Sequence, residues 1–118
     1  MSSELTLQVQ RREGTQVVLS VAGDLDLDSA GTLTTAALDL IGRGSCDLVL
    51  EMAQVPFCDS MGLNALLRVL RQAKAAGGSL TLVSPADPVK RLLSMCGVDQ
   101  IIATLDGPSP LPPGRTDG

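Results

Sequence analysis

Leu5, Leu7 and Val9 alternate with polar Thr6, Gln8 and Gln10, the period-2 pattern of a half-buried strand, expected at the edge of a sheet. Glu13-Gly14-Thr15 turns the chain. The next run, Val17-Val18-Leu19-Ser20-Val21-Ala22, is apolar on both faces, as an interior strand covered on two sides must be. Together the two segments predict a hairpin. After Gly23 the acidic stretch Asp24-Leu25-Asp26-Leu27-Asp28-Ser29 cannot extend a buried strand, but Asp28 or Ser29 can cap a helix. Leu33, Ala36, Ala37, Leu40 and Ile41 then recur with helical spacing on one stripe. They predict a first helix that packs on the sheet and stops at Gly42-Arg43-Gly44.

Cys46-Asp47-Leu48-Val49-Leu50-Glu51 reads as a third strand, and Pro56 places a loop after it. A second helix starts near Asp59 or Ser60. Its apolar stripe is Leu63, Leu66, Leu67 and Leu70, its outer face carries Arg68, Arg71 and Lys74, and Gly77-Gly78 closes it. Leu80, Leu82 and Val83 mark a fourth strand. Ser84-Pro85-Ala86-Asp87-Pro88 leads into a third helix with the stripe Val89, Leu92, Leu93 and Cys96, ended by Gly97. Ile101-Ile102-Ala103-Thr104-Leu105 is the last short strand. The Pro- and Gly-rich stretch from Gly107 has neither period nor apolar content, so residues 107–118 are expected to be a disordered tail on a domain spanning residues 1–106. The order β-β-α-β-α-β-α-β, with right-handed crossovers, gives an α/β fold: a mixed, mostly parallel sheet packed with amphipathic helices and one hairpin-linked edge.

Composition narrows this picture. A chain of 118 residues with 44% hydrophobic content suits one domain with a single core. With one Phe and neither Trp nor Tyr, that core must be aliphatic, which favours helices packed closely on a sheet. A formal net charge of −4, with no basic stripe interleaved by aromatics, gives no attraction to a nucleic-acid backbone. No apolar run reaches the roughly 18 residues that a membrane span needs, and Met1-Ser2-Ser3-Glu4 lacks the basic start of a leader. The expectation is a cytoplasmic protein without a membrane partner. Three cysteines without C-x-x-C spacing, in a chain with no His, do not predict a zinc site. Cys46, Cys58 and Cys96 read instead as reduced, small, buried apolar groups.

Several chemistries fail on residue type. Ser60 follows a loop and opens a helix, as the nucleophile of a hydrolase elbow does, but there is no His to take its proton, and Asp59 and Met61 flank it. For a Ser-Lys pair, Lys74 and Lys90 are the only lysines, and no motif places either beside Ser60. The phosphate-binding strings of nucleoside triphosphatases and dinucleotide enzymes are missing, so no nucleotide cofactor is expected. Asp24, Asp26 and Asp28 have the spacing of a calcium loop, yet Ser29 stands where its Gly belongs and no Glu follows at the end, so no metal is expected. The chain does not read as an enzyme.

What remains is Val55-Pro56-Phe57-Cys58-Asp59-Ser60-Met61-Gly62-Leu63, running from the third strand into the second helix. It resembles the loop of STAS-domain anti-anti-sigma factors (anti-sigma factor antagonists), whose pattern is hydrophobic-x-Phe-x-Asp-Ser-Ser/Thr-Gly-Leu; Met61 departs from it. Two further blocks in the right order extend the resemblance over nearly the whole folded region: Gly23-Asp24-Leu25-Asp26, and Ser84-Pro85 with Val89-Lys90-Arg91-Leu92-Leu93 and Gly97-Val98. The resemblance implies a protein that binds an anti-sigma factor with serine kinase activity, frees a sigma factor, and is inactivated by phosphorylation of the Ser after the Asp, here Ser60. It implies partner contacts at Asp24, Asp26, Asp59, Ser60, Met61 and Gly62. It also implies a further C-terminal helix, for which the Pro-rich sequence from Gly107 is unsuited.

Physical chemistry supports the modification site. A phosphate in the first turn is expected to gain from the helix dipole and free N–H groups, about 0.3–1 kcal/mol, so the modified domain should stay folded. Its added charge of about −1.5 to −2 lies beside Asp59, and near Asp24 if the two strand ends adjoin, so a docked partner should be repelled. Plainer roles stand beside these. Asp59 can be an ordinary N-cap, Ser60 a solvated first-turn serine, Met61 core or contact, and Asp24 and Asp26 a solvated loop capping the first helix. Gly62 costs about 1 kcal/mol against Ala in a helix, which suggests that something approaches it closely. Lys90 and Arg91 read as the outer face of the third helix. Two rival functions remain: a STAS scaffold that is never phosphorylated, which Met61 favours, and a small-ligand sensor within a signalling complex.

Overall fold

Strand β1 (Thr6–Glu13) pairs antiparallel with β2 (Gln16–Ala22), so the expected hairpin forms. The computed structural model describes residues 5–106. The expected tail at 107–118, and any further C-terminal helix, lie outside the described residues. Strands β3 (Asp47–Gln54), β4 (Ser79–Val83) and β5 (Ala103–Leu105) continue the sheet in parallel, in the order β1-β2-β3-β4-β5. The crossovers are α1 (Ala30–Gly42), α2 (Ser60–Ala75) and α3 (Asp87–Met95). This is the α/β order that the hydrophobic pattern predicts.

Alternation along the strands sets the layers. Val17, Leu19 and Val21 of β2, Leu48, Leu50 and Met52 of β3, and Leu80 and Leu82 of β4 form one core with Leu33 and Ala37 of α1, Leu66 and Val69 of α2, and Val89 and Leu93 of α3. Val18, Val49 and Val83 make a small second cluster, at the alternate positions of the same strands. Helix α2 has the deepest stripe, with Leu63, Leu66 and Leu70 buried as expected, Leu67 only half-buried, and Ala65, Val69 and Ala73 added. Both α1 and α2 end by the same device. Ser45 N–H donates to the Leu40 carbonyl and Gly78 N–H to the Ala73 carbonyl, after Gly44 and Gly77 adopt positive φ.

Three expectations need correction. The alternating start of the chain is buried only at Leu5, half-buried at Leu7, and exposed at Val9. The strand is an edge with a neighbour on one side, and its register slips between Val9 and Arg11, which ends the alternation. Of the three thiols expected to be buried only Cys58 is: Cys96, the C-cap of α3, is exposed, and Cys46, just before β3, is half-buried. The last strand is shorter than expected: Val98–Gln100 forms a 3-10 turn, Ile101 is exposed, and only Ala103–Leu105 pairs.

Candidate functional site

The sequence places Asp59 where a strand loop becomes a helix, and its side chain does the work of a cap. Asp59 is extended at φ −103° and ψ −173°, and its Oδ1 accepts from the N–H groups of Met61 and Gly62, both at 2.9 Å. Its Oδ2 reaches across to accept from Leu27 N–H at 3.2 Å. One carboxylate therefore joins the α2 N-terminus to the loop after β2.

The backbone ties the same two loops. Leu25 N–H donates to the Phe57 carbonyl at 2.9 Å, and Asp59 N–H donates to the Leu25 carbonyl at 3.2 Å. Leu25 and Cys58 thus form a short parallel bridge beyond the ends of β2 and β3. The strand ends do adjoin, so the backbone at Asp24 lies next to the loop that carries Asp59.

Close packing fixes the spacing. A Cβ on Gly62 would stand 2.2 Å from the Leu25 carbonyl oxygen, so the close approach inferred from glycine in a helix is that of Leu25. Gly62 is buried, and its part is to let the first turn of α2 seat against this loop.

Ser60, the first residue of α2, is exposed, and its hydroxyl makes no hydrogen bond among the described residues. The expected supply of free N–H groups for a phosphate is mostly taken, however. Asp59 Oδ1 holds those of Met61 and Gly62, and the Asp59 carbonyl accepts from Leu63 N–H, which leaves the N–H of Ser60 itself. A phosphate here would gain little from the helix start and would stand beside a carboxylate.

The start of α1 departs from expectation. Neither Asp28 nor Ser29 caps it with a side chain. Ser29 has helical dihedrals and is buried, and its hydroxyl accepts from Asp26 N–H at 2.9 Å while donating to the Asp24 carbonyl at 2.7 Å. Asp26 Oδ1 accepts from the N–H groups of Asp28 and Ser29 at 3.1 and 3.2 Å, so Asp26 holds the turn. Asp24 is half-buried, and its carboxylate has no hydrogen-bond partner among the described residues. Among those residues no cluster of three or more acidic or cysteine side chains could hold a metal ion. No helix there is long and apolar enough to cross a membrane.

Cys58 is buried under this frame. Burial, and then the Asp59 carboxylate, push its thiol up to about 12, so it stays protonated and unreactive. Three large apolar side chains instead face solvent around the frame: Leu27, Phe57 and Met61. Met61 is therefore not core. Leu27 and Phe57 were not candidate contacts on sequence grounds, although Phe57 stands at the Phe of the loop pattern; Leu27 has no signal beyond being a large apolar residue in an acidic loop.

Comparison with known proteins agrees with this fold. The STAS domain model matches residues 6–109. The anti-sigma-B factor antagonist of Bacillus subtilis strain 168 is 29% identical over 98 residues, covering 83% of this chain and 88% of the relative. The structure of the anti-sigma factor antagonist SpoIIAA in its unphosphorylated form matches with a TM-score of 0.77 at 20% identity, over 88% of this chain and 90% of that one. The phosphorylated form of SpoIIAA, a Bacillus cell fate determinant, matches at 0.71 and 19% identity, over 88% and 93%. At such identities the structures show a common fold. With a match spanning most of its length and this architecture, the chain belongs to the STAS domain family.

Proposed function

We propose that this chain is a cytoplasmic anti-sigma factor antagonist. With Ser60 free it binds an anti-sigma factor that is also a serine kinase, and so releases a sigma factor; phosphorylation of Ser60 ends the complex. It acts by binding and not by catalysis. The observation that carries this reading is the exposed hydroxyl of Ser60 at the first residue of α2, held beside the fixed carboxylate of Asp59. Kinship with proteins named anti-sigma factor antagonists, one of them known in a phosphorylated form, supports it.

The test is to incubate the chain with the anti-sigma factor kinases of the organism that makes it, with ATP, and to map phosphate by mass spectrometry. One kinase should modify Ser60, and Ser60→Ala should abolish incorporation. Absence of phosphate, or unchanged labelling of Ser60→Ala, overturns the site. The second reading, a STAS scaffold that docks unmodified, is favoured by Met61 standing where the related pattern has a second hydroxyl. It requires a stable complex and no phosphate in the same assay.

A further inference from the structure

We propose that the C-terminal half of α2 is a second interaction surface, one that holds an acidic amphipathic helix of a partner protein against Arg68, Arg71 and the groove between α1 and α2. It rests neither on Ser60 nor on the kinase. Arg68 lies about 12 Å and Lys74 about 21 Å along α2 from Ser60, at about 1.5 Å per residue.

Helix α2 carries Arg68, Arg71 and Lys74 and no Asp or Glu, in a chain of net charge −4. These cations are exposed, and none has an ion pair or a side-chain hydrogen bond among the described residues. Helix stability does not account for them. The dipole favours cations within the last turn, which explains Lys74 alone, and like charges at i, i+3 weaken a helix. By contrast, Arg43 at the end of α1 meets Asp39 at 3.0 Å, and Lys90 of α3 meets Asp106 at 2.8 Å.

Arg68 also lines a groove of about 350 Å³ between α1 and α2, together with Thr35, Leu38 and Asn64. Leu38 is half-buried and apolar, while Thr35 and Asn64 are exposed and polar. Two packed helices offer a third helix the furrow between them. On a partner helix, carboxylates at i and i+3 or i+4 stand about 5–6 Å apart, the spacing of Arg68 and Arg71 on α2, so one helix can meet both. An apolar residue on the same face then reaches Leu38. Guanidinium groups match carboxylates through paired N–H donors, which selects Asp or Glu as the partner groups. Nucleic acid and anionic membrane match less well, since α2 has no aromatic side chain for stacking and the chain as a whole is negative.

The probe is a fluorescein-labelled, alanine-based peptide of about 18 residues, long enough to be helical, with Glu and Leu on one face. Its anisotropy is titrated with the full chain and its variants. Saturable binding is expected, and Arg68→Glu and Arg71→Glu should each weaken it about tenfold or more. Arg91→Glu on α3 should stay within about twofold. Lys in place of the peptide's Glu should abolish binding, and Leu38→Ser should weaken it. Thermal melts check folding; if Leu38→Ser melts early, the two exposed arginines decide the outcome. No saturable binding, or binding indifferent to both Arg68→Glu and Arg71→Glu, overturns the proposal. So does tighter binding to phosphatidylserine/phosphatidylcholine vesicles or to a single-stranded oligonucleotide than to the peptide. Self-association in sedimentation that Arg68→Glu abolishes also overturns it, because the occupant is then a second copy. The measurement uses neither kinase nor ATP, so its failure leaves docking at Ser60 untouched.

Discussion

Gly62 and Leu25 are held so close that one added carbon on Gly62 would stand 2.2 Å from the Leu25 carbonyl oxygen and 2.8 Å from its Cγ. Gly62→Ala therefore sets two effects against each other. Helix propensity favours Ala by about 1 kcal/mol. The obstacle is backbone, which no rotamer change relieves, and overpacking of this kind costs about 1–3 kcal/mol. Urea denaturation should show net destabilisation; a more stable variant would mean that α2 does not seat on the loop after β2.

Asp59 is the second point of attachment. Asp59→Ala removes an acceptor shared by three backbone N–H groups, and loss of such a cap costs about 1–2 kcal/mol. Asp59→Asn, which keeps an acceptor oxygen, should retain much of the stability. Equal denaturation midpoints for Asp59→Ala and the parent would contradict the joint drawn here.

Cys58 gives a pH signature. Its folded value, about 12, lies above the ordinary 9.0, so between these values the unfolded chain loses a proton that the folded chain keeps. This contribution to stability is complete below about pH 9 and is lost as pH rises towards about 12. Stability should fall more steeply with alkaline pH in the parent than in Cys58→Ala; parallel profiles would contradict it. At mildly alkaline pH an alkylating reagent should modify exposed Cys96 and spare Cys58 in the folded protein.

The elements with strong local signals were legible in sequence. The stripe Leu63, Leu66 and Leu70 opened by Asp59 and closed by Gly77-Gly78 defines α2 almost to its ends, and the cost of glycine at position 62 foretold a close neighbour. The identity of that neighbour was not legible, since Leu25 lies 37 positions earlier and meets Gly62 only when the β2 and β3 ends pair. The same holds for the reach of Asp59 to Leu27, a tertiary bond that local patterns do not encode. At the start of α1 the reading of Asp26 as part of a capping loop was legible and the side-chain cap at Asp28 or Ser29 was not: Asp26 holds the turn, and the Ser29 hydroxyl is used within the loop. Leu27 and Phe57 were overlooked because period rules describe faces of helices and strands, and these residues belong to neither.

The central claim is that negative charge on Ser60 ends docking without unfolding the domain. The direct measurement is the dissociation constant of the unmodified chain and of the chain phosphorylated on Ser60, each with the kinase, alongside circular dichroism of both. A loss of about 3 kcal/mol corresponds to more than a hundredfold weaker binding, and that loss with superimposable spectra is the predicted result. Equal affinities, or a phosphorylated chain that has lost its fold, would contradict it.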